Sequence, residues 1–196
     1  MMVTDRPLKA ITTLTPSMLK RLATLILLIT ALALQSCVSA GAGLKSYADT
    51  YTGYQFLYPN GWTQVKVAGA ADVVFHDIVN ETENVSVVIS TVPEDQTLEG
   101  LGTPTEVGYK LSKSINFLTG DDRKVDLLSA QAITKDDKTY YILEYLADLP
   151  SGLRHNFASV IVRQGELFTF NASTSDDRWE KVKDLMKQSV ASFSVY

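Results

Sequence analysis

Thr139–Ser173 reads TYYILEYLADLPSGLRHNFASVIVRQGELFTFNAS, three runs rich in aromatic and aliphatic residues parted by two turn signals. Such residues fit the pleated surface of a sheet. Pro150-Ser151-Gly152 and Gln164-Gly165 supply the turns, and Leu167–Ala172 alternates, with Phe168, Phe170 and Ala172 on one face. The stretch predicts an antiparallel meander. If Leu149 pairs with Arg154, Leu146 meets Phe157 and Ile142 meets Ile161 on one side. Leu143 then meets Val160, and Tyr141 meets Val162, on the other. A sheet apolar on both faces needs a layer on each.

Upstream, Tyr54–Tyr58, Trp62–Val67, Val73–Val79 and Asn84–Val92 read as four more strands joined by short turns such as Pro59-Asn60-Gly61. Pro93–Gly102 reads as a longer loop. Thr103-Pro104-Thr105-Glu106 is then a capping box with proline in the first helical position. Val107, Leu111, Ile115 and Leu118 follow at helical spacing, so a helix runs from Pro104 to about Leu118. Lys124–Thr134 is a fifth strand before the meander. Ser175-Asp176-Asp177 opens a last helix, with Trp179, Val182, Met186 and Val190 as its apolar stripe. Ser192–Tyr196 is a tail suited to a short packed strand. With no βαβ alternation, the fold class is α+β: an antiparallel sheet core with helices packed across it.

The first part of the chain has a different character. Lys20-Arg21 is a basic start, Leu22–Leu34 is a 13-residue, mostly apolar run, and Gln35-Ser36-Cys37 follows. The run is too short to span a bilayer comfortably. A small residue and then cysteine behind such a run is the pattern of a bacterial lipoprotein signal, cut before Cys37. This gives a signal peptide at 1–36, a lipidated flexible tether at 37–50 and a folded domain at 51–196. Cys37 is the sole cysteine, so the domain stands without an internal disulfide. The leader takes four basic residues and one acidic with it, leaving 14 Lys+Arg and 21 Asp+Glu, a net charge of −7. That balance argues against nucleic acid and against a polybasic grip on a membrane, so the lipid does the tethering.

Chemical motifs are sparse. No G-x-S-x-G, phosphate-cradling glycine loop or H-E-x-x-H occurs. The sharpest candidate is His155, which the assumed register sets opposite Asp148. The pair reads either as a polar strand-end contact or as two ligands of a divalent ion, with catalysis a distant third. His76 and Asp77 are adjacent on a strand and face opposite ways, so His76 suits only adventitious surface zinc. The acidic pairs Asp121-Asp122, Asp136-Asp137 and Asp176-Asp177 lack calcium-loop spacing and read as turns and a helix start.

Several segments together resemble the PsbP family. They are GYQFLYPNGW at 53–62, VFHD at 74–77 with NVSV at 84–87, and LGTPTEVG at 101–108. Tyr140-Tyr141, Glu144-Tyr145, Arg154-His155, FTFNAS at 168–173 and Arg178-Trp179 complete the pattern. With its lipoprotein-type leader, the chain is similar to the cyanobacterial branch of that family. The resemblance implies an α-β-α sandwich and a lipoprotein on the lumenal side of the thylakoid membrane. It implies photosystem II membrane subunits as partners, a monomer when alone, and support of assembly or stability of the oxygen-evolving complex without catalysis. No cofactor is implied as required. Zinc or calcium, with manganese as a further candidate, belongs to the alternative of a metal-binding or delivery lipoprotein, with His155 and Asp148 as ligands.

Overall fold

The computed structural model describes residues 43–119 and 124–196, residues 114–119 by backbone alone. The leader, Cys37 and the Asp121-Asp122 turn lie outside the described residues, as do the side chains of Ile115 and Leu118.

The chain runs through β1 (Leu44–Asp49), β2 (Tyr54–Pro59), β3 (Trp62–Val65), β4 (Ala71–Asp77) and β5 (Asn84–Thr91). A short helix, α1 (Leu98–Leu101), precedes α2 (Pro104–Thr119). The meander follows as β6 (Val125–Lys135), β7 (Lys138–Leu149), β8 (Gly152–Arg163) and β9 (Glu166–Ser175). Helix α3 (Asp176–Ser192) and β10 (Ser194–Val195) close the chain. Seven strands form one antiparallel sheet in the order β3-β4-β5-β9-β8-β7-β6, and β1-β2-β10 form a smaller one. The expected α+β class, with a layer on each face of an antiparallel sheet, is what the chain adopts.

Both covering layers follow from the two-sided apolar pattern. On one face, Tyr140, Ile142, Ile161, Phe168 and Phe170 pack with Trp179, Met186 and Val190 of α3 and with Tyr54 and Phe56 of the small sheet. On the other, Tyr141, Leu143, Ala158 and Val160 pack with Leu98 of α1 and Val107 of α2. Each fully buried aliphatic or aromatic side chain contributes about 1.5–3 kcal/mol. The capping box forms as read: Thr103 N–H donates to Glu106 Oε2 at 2.8 Å, and Glu106 N–H donates to Thr103 Oγ1 at 3.3 Å. The carboxylate of Glu106 is held below its ordinary range by the Thr103 backbone N–H and then by the Thr103 hydroxyl.

Three expectations need correction. First, the second half of the stretch read as a flexible tether is a strand from Leu44 to Asp49, paired along its length with β2. Its only strong core residue is Tyr47, whose ring lies 5.2 Å from those of Phe56 and Phe75. The folded unit therefore begins at Gly43, not at 51. Second, the loop before α2 contains α1, capped by the Thr97 hydroxyl on Gly100 N–H at 3.0 Å. Third, the β7–β8 hairpin turns on two residues, Pro150 and Ser151, with Leu149 opposite Gly152. Gly152 has φ +113°, a conformation that L side chains rarely adopt and that permits the tight reversal. The true register puts Tyr141 against Val160 and Leu143 against Ala158. It differs from the assumed one by two residues, so every side chain keeps its face but changes its neighbour.

Candidate functional site

The register decides what surrounds His155. Asp148 lies opposite Leu153, while His155 lies opposite Leu146. No contact joins Asp148 to His155, so the expected ligand pair is not assembled. Two other carboxylates meet the ring instead. Glu144, two residues back along the same face of β7, places Oε1 at 2.9 Å from Nε2. Asp176, the first residue of α3, places Oδ1 at 3.2 Å from Nδ1. A neutral imidazole donates through one nitrogen only, whereas the doubly protonated ring satisfies a carboxylate at each end.

The aromatic surroundings fix the ring's plane. Trp179 stacks on it with centroids 3.8 Å apart and planes 9° from parallel. Lys187, two turns along α3, sits with Nζ 3.6 Å from Glu144 Oε2. The same ammonium lies 5.2 Å from the Phe157 ring centroid and 5.4 Å from that of Trp179, within cation–π range. His155 is 5% exposed. The cluster thus locks α3 onto β7 and β8 through a chain of contacts from Asp176 to His155, Glu144 and Lys187.

A second ionic group lies beside it. Glu83, 3% exposed, accepts from Arg178 Nε and from the Thr174 hydroxyl. Arg178 is held above its ordinary value, first by that hydrogen bond and then by the Glu83 charge. Arg154 donates through Nε to Ser173 Oγ at 3.0 Å and through Nη2 to the Thr82 carbonyl. Together these groups bind the β4–β5 turn, the end of β9 and the first turn of α3. A cavity of about 370 Å³ opens between that turn, the β7–β8 hairpin and α3, with Thr82, Arg154, Asp176 and Asp177 in its wall.

This geometry suits rigidity rather than turnover. The two carboxylates approach opposite edges of the imidazole and cannot converge on one ion. Among the described residues no group of three or more His, Cys, Asp or Glu side chains is placed to hold a metal. His76 is half-buried on β4, paired with Thr63 and Asn84. Its neighbour Asp77 instead caps the β4–β5 turn, accepting from Val79 N–H at 2.7 Å and Asn80 N–H at 2.6 Å. Sequence reading singled out His155 but missed Glu144, Asp176 and Trp179. Glu144 was legible as the acid in the middle of the apolar run of β7; Asp176 and Trp179 required knowing that α3 crosses β8.

The described residues therefore define an α+β sandwich stiffened by two buried ionic clusters. The PsbP family profile matches residues 42–195, and the chain belongs to that family. It is 46% identical to CyanoP of Thermosynechococcus vestitus, across 91% of this chain and 100% of that protein. It is 45% identical to CyanoP of Synechocystis sp., across 90% of this chain and 98% of that one. The solution structure of Synechocystis CyanoP superposes with a TM-score of 0.69 at 46% identity, covering 84% of this chain and 99% of its own.

Proposed function

We propose that the protein is a non-catalytic accessory lipoprotein of photosystem II. It is held by acylated Cys37 on the lumenal side of the thylakoid membrane and supports assembly or stability of the oxygen-evolving complex through protein contacts. The observation that carries this reading is the end-to-end match to the two CyanoP proteins. It covers 91% of the chain and so reaches past the 43–196 domain into the leader. The fold fits such a role. Its polar clusters are consumed in internal pairs, which leaves a stiff body with pre-set surfaces, and preorganised surfaces lose less entropy on association. The anchor confines that body to two dimensions and raises its effective concentration near membrane-embedded partners.

The test is affinity isolation of the tagged full chain from detergent-solubilised thylakoid membranes. Photosystem II subunits should co-purify with the native chain, and Cys37→Ala should abolish that association while leaving the domain folded. Recovery of the chain without them, or equal recovery with the Ala variant, would contradict the proposal.

A further inference from the structure

Ile78 and Val79 are the most exposed large aliphatic side chains among the described residues, at 65% and 86%. They sit side by side at the tip of the β4–β5 turn, and the turn is rigid. Asp77 Oδ1 holds the N–H groups of Val79 and Asn80, and Glu83 N–H closes the turn on the Asn80 carbonyl at 2.7 Å. Buried Glu83, paired with Arg178, roots it in the domain. Two branched apolar side chains are thus presented to solvent on a fixed stalk.

The position of the turn relative to the start of the domain gives it a meaning. The Gly43 carbonyl accepts from Asn60 N–H at 2.8 Å, Trp62 pairs with Asp77, and Ile78 comes next. The chain therefore enters the domain at the pole that carries Ile78 and Val79. Cys37 lies six residues before Gly43. At full extension that is a reach of about 20 Å. A lipid on Cys37 keeps this pole beside the bilayer. The opposite end of β1 carries Tyr51, which is 100% exposed, a six-residue strand further away.

We infer that the Ile78-Val79 turn is a second membrane contact. It seats in the interfacial layer of an uncharged or zwitterionic bilayer and fixes the orientation of the anchored domain. The inference rests on the acylation of Cys37 proposed above. Charge narrows the choice of surface. Asp77 and Glu81 belong to the turn, and Asp176 and Asp177 share a cavity wall with Thr82. The nearby cations Arg154 and Arg178 are engaged by internal acceptors. An anionic surface therefore repels this pole.

The test uses the full acylated chain, purified in detergent and reconstituted into phosphatidylcholine vesicles. With Cys37 acylated, Glu81→Cys or Tyr51→Cys gives a single thiol for an environment-sensitive dye. The dye at 81 should shift to the blue and be quenched by quenchers carried on the lipid chains, while the dye at 51 stays in water. Adding Ile78→Ser and Val79→Ser should return the dye at 81 to water, and anionic phosphatidylglycerol should reduce its shift. Vesicles that float with the chain while position 81 stays wet, or respond no more than 51, overturn the contact but leave the anchor standing. Shielding of 81 only in membranes that hold other proteins overturns it in favour of a protein contact. A chain that does not float with the vesicles overturns the anchor, and the contact with it.

Discussion

The indole of Trp179 lies flat on the imidazole of His155, 3.8 Å between centroids, while Glu144 and Asp176 take the two ring nitrogens. The stack joins the first turn of α3 to the centre of the sheet. His155→Ala removes both the stack and one of the two partners of Glu144, whose side chain is 18% exposed and keeps Lys187 at 3.6 Å. A stacked pair contributes about 0.5–1.5 kcal/mol and a hydrogen bond to a charged group about 1.5–3 kcal/mol, so the expected loss is about 3 kcal/mol. Urea unfolding monitored by tryptophan emission measures it. Chelation of divalent ions should leave the wild-type midpoint unchanged, because the two carboxylates flank the ring instead of converging.

Arg178 and Glu83 make the second test. Glu83 is 3% exposed and answers to Arg178 and Thr174. Removing Arg178 leaves a buried carboxylate without its hydrogen-bonded cation, a loss of about 3 kcal/mol. Arg178→Ala should lower the urea midpoint clearly. The double variant Glu83→Gln with Arg178→Ala should recover about half of the loss, since a neutral amide is cheaper to bury. Equal midpoints for the single and double variants would show that the charge itself is immaterial.

These clusters mark the limit of what sequence alone carried. The meander was legible because Thr139–Ser173 alternates strongly between turn signals, and α2 because its capping box precedes a clear apolar spacing. Hairpin register was not. Proline, serine and glycine announce a turn after Leu149 without saying whether it holds two residues or four. That difference separates Asp148 from His155. Strand β1 was missed because Leu44–Asp49 has one core aromatic, Tyr47, and, after Leu44 at its start, otherwise polar or small residues. Its identity as a strand comes from pairing with β2, which is a tertiary fact.

Acid sensitivity should come partly from two turn-capping carboxylates. Asp77 is held below its ordinary value, first by the Asn80 N–H and also by the Val79 N–H, with burial opposing. Glu106 is lowered by the Thr103 N–H and hydroxyl. A carboxyl whose folded pKa lies below its unfolded pKa adds stability above the unfolded value, and that stability is lost as pH falls through the folded one. The two contributions are therefore intact at neutral pH and fade below about pH 4, where free Asp and Glu carboxyls titrate. Asp77→Asn with Glu106→Gln should lower stability at pH 7 and flatten its decline below pH 4. Thermal unfolding from pH 7 to pH 3 checks both effects.

Lys135, at the end of β6, caps the far end of α3. Its Nζ donates to the carbonyls of Ala191, Ser192 and Phe193 at 3.0, 3.2 and 3.1 Å. These are among the acceptors that a helix C-terminus leaves unpaired, and the cation also opposes the helix dipole. Lys135→Met keeps the apolar stem and removes the donors. The expected loss is about 1–2 kcal/mol. Faster amide exchange should be confined to β10 and the last turn of α3, read by hydrogen-exchange mass spectrometry.

Gly108 sits where α2 packs tightly on β6. A Cβ built there would lie 2.9 Å from Leu127 Cδ2 and 3.0 Å from Cδ1. Two effects oppose each other on Gly108→Ala. Replacing a glycine inside a helix gains about 1 kcal/mol. Forcing a methyl into a filled contact costs about 1–3 kcal/mol. Both close atoms belong to one leucine side chain, so relief depends on whether that chain moves. The single substitution should therefore range from neutral to destabilising by about 2 kcal/mol. Leu127→Val combined with Gly108→Ala should be more stable than the sum of the two single changes predicts, because the shortened chain makes room for the methyl. A double-mutant cycle in urea measures that coupling. Strict additivity would mean that α2 moves away from the sheet as a body and that the close approach at Gly108 is not a fixed feature of the fold.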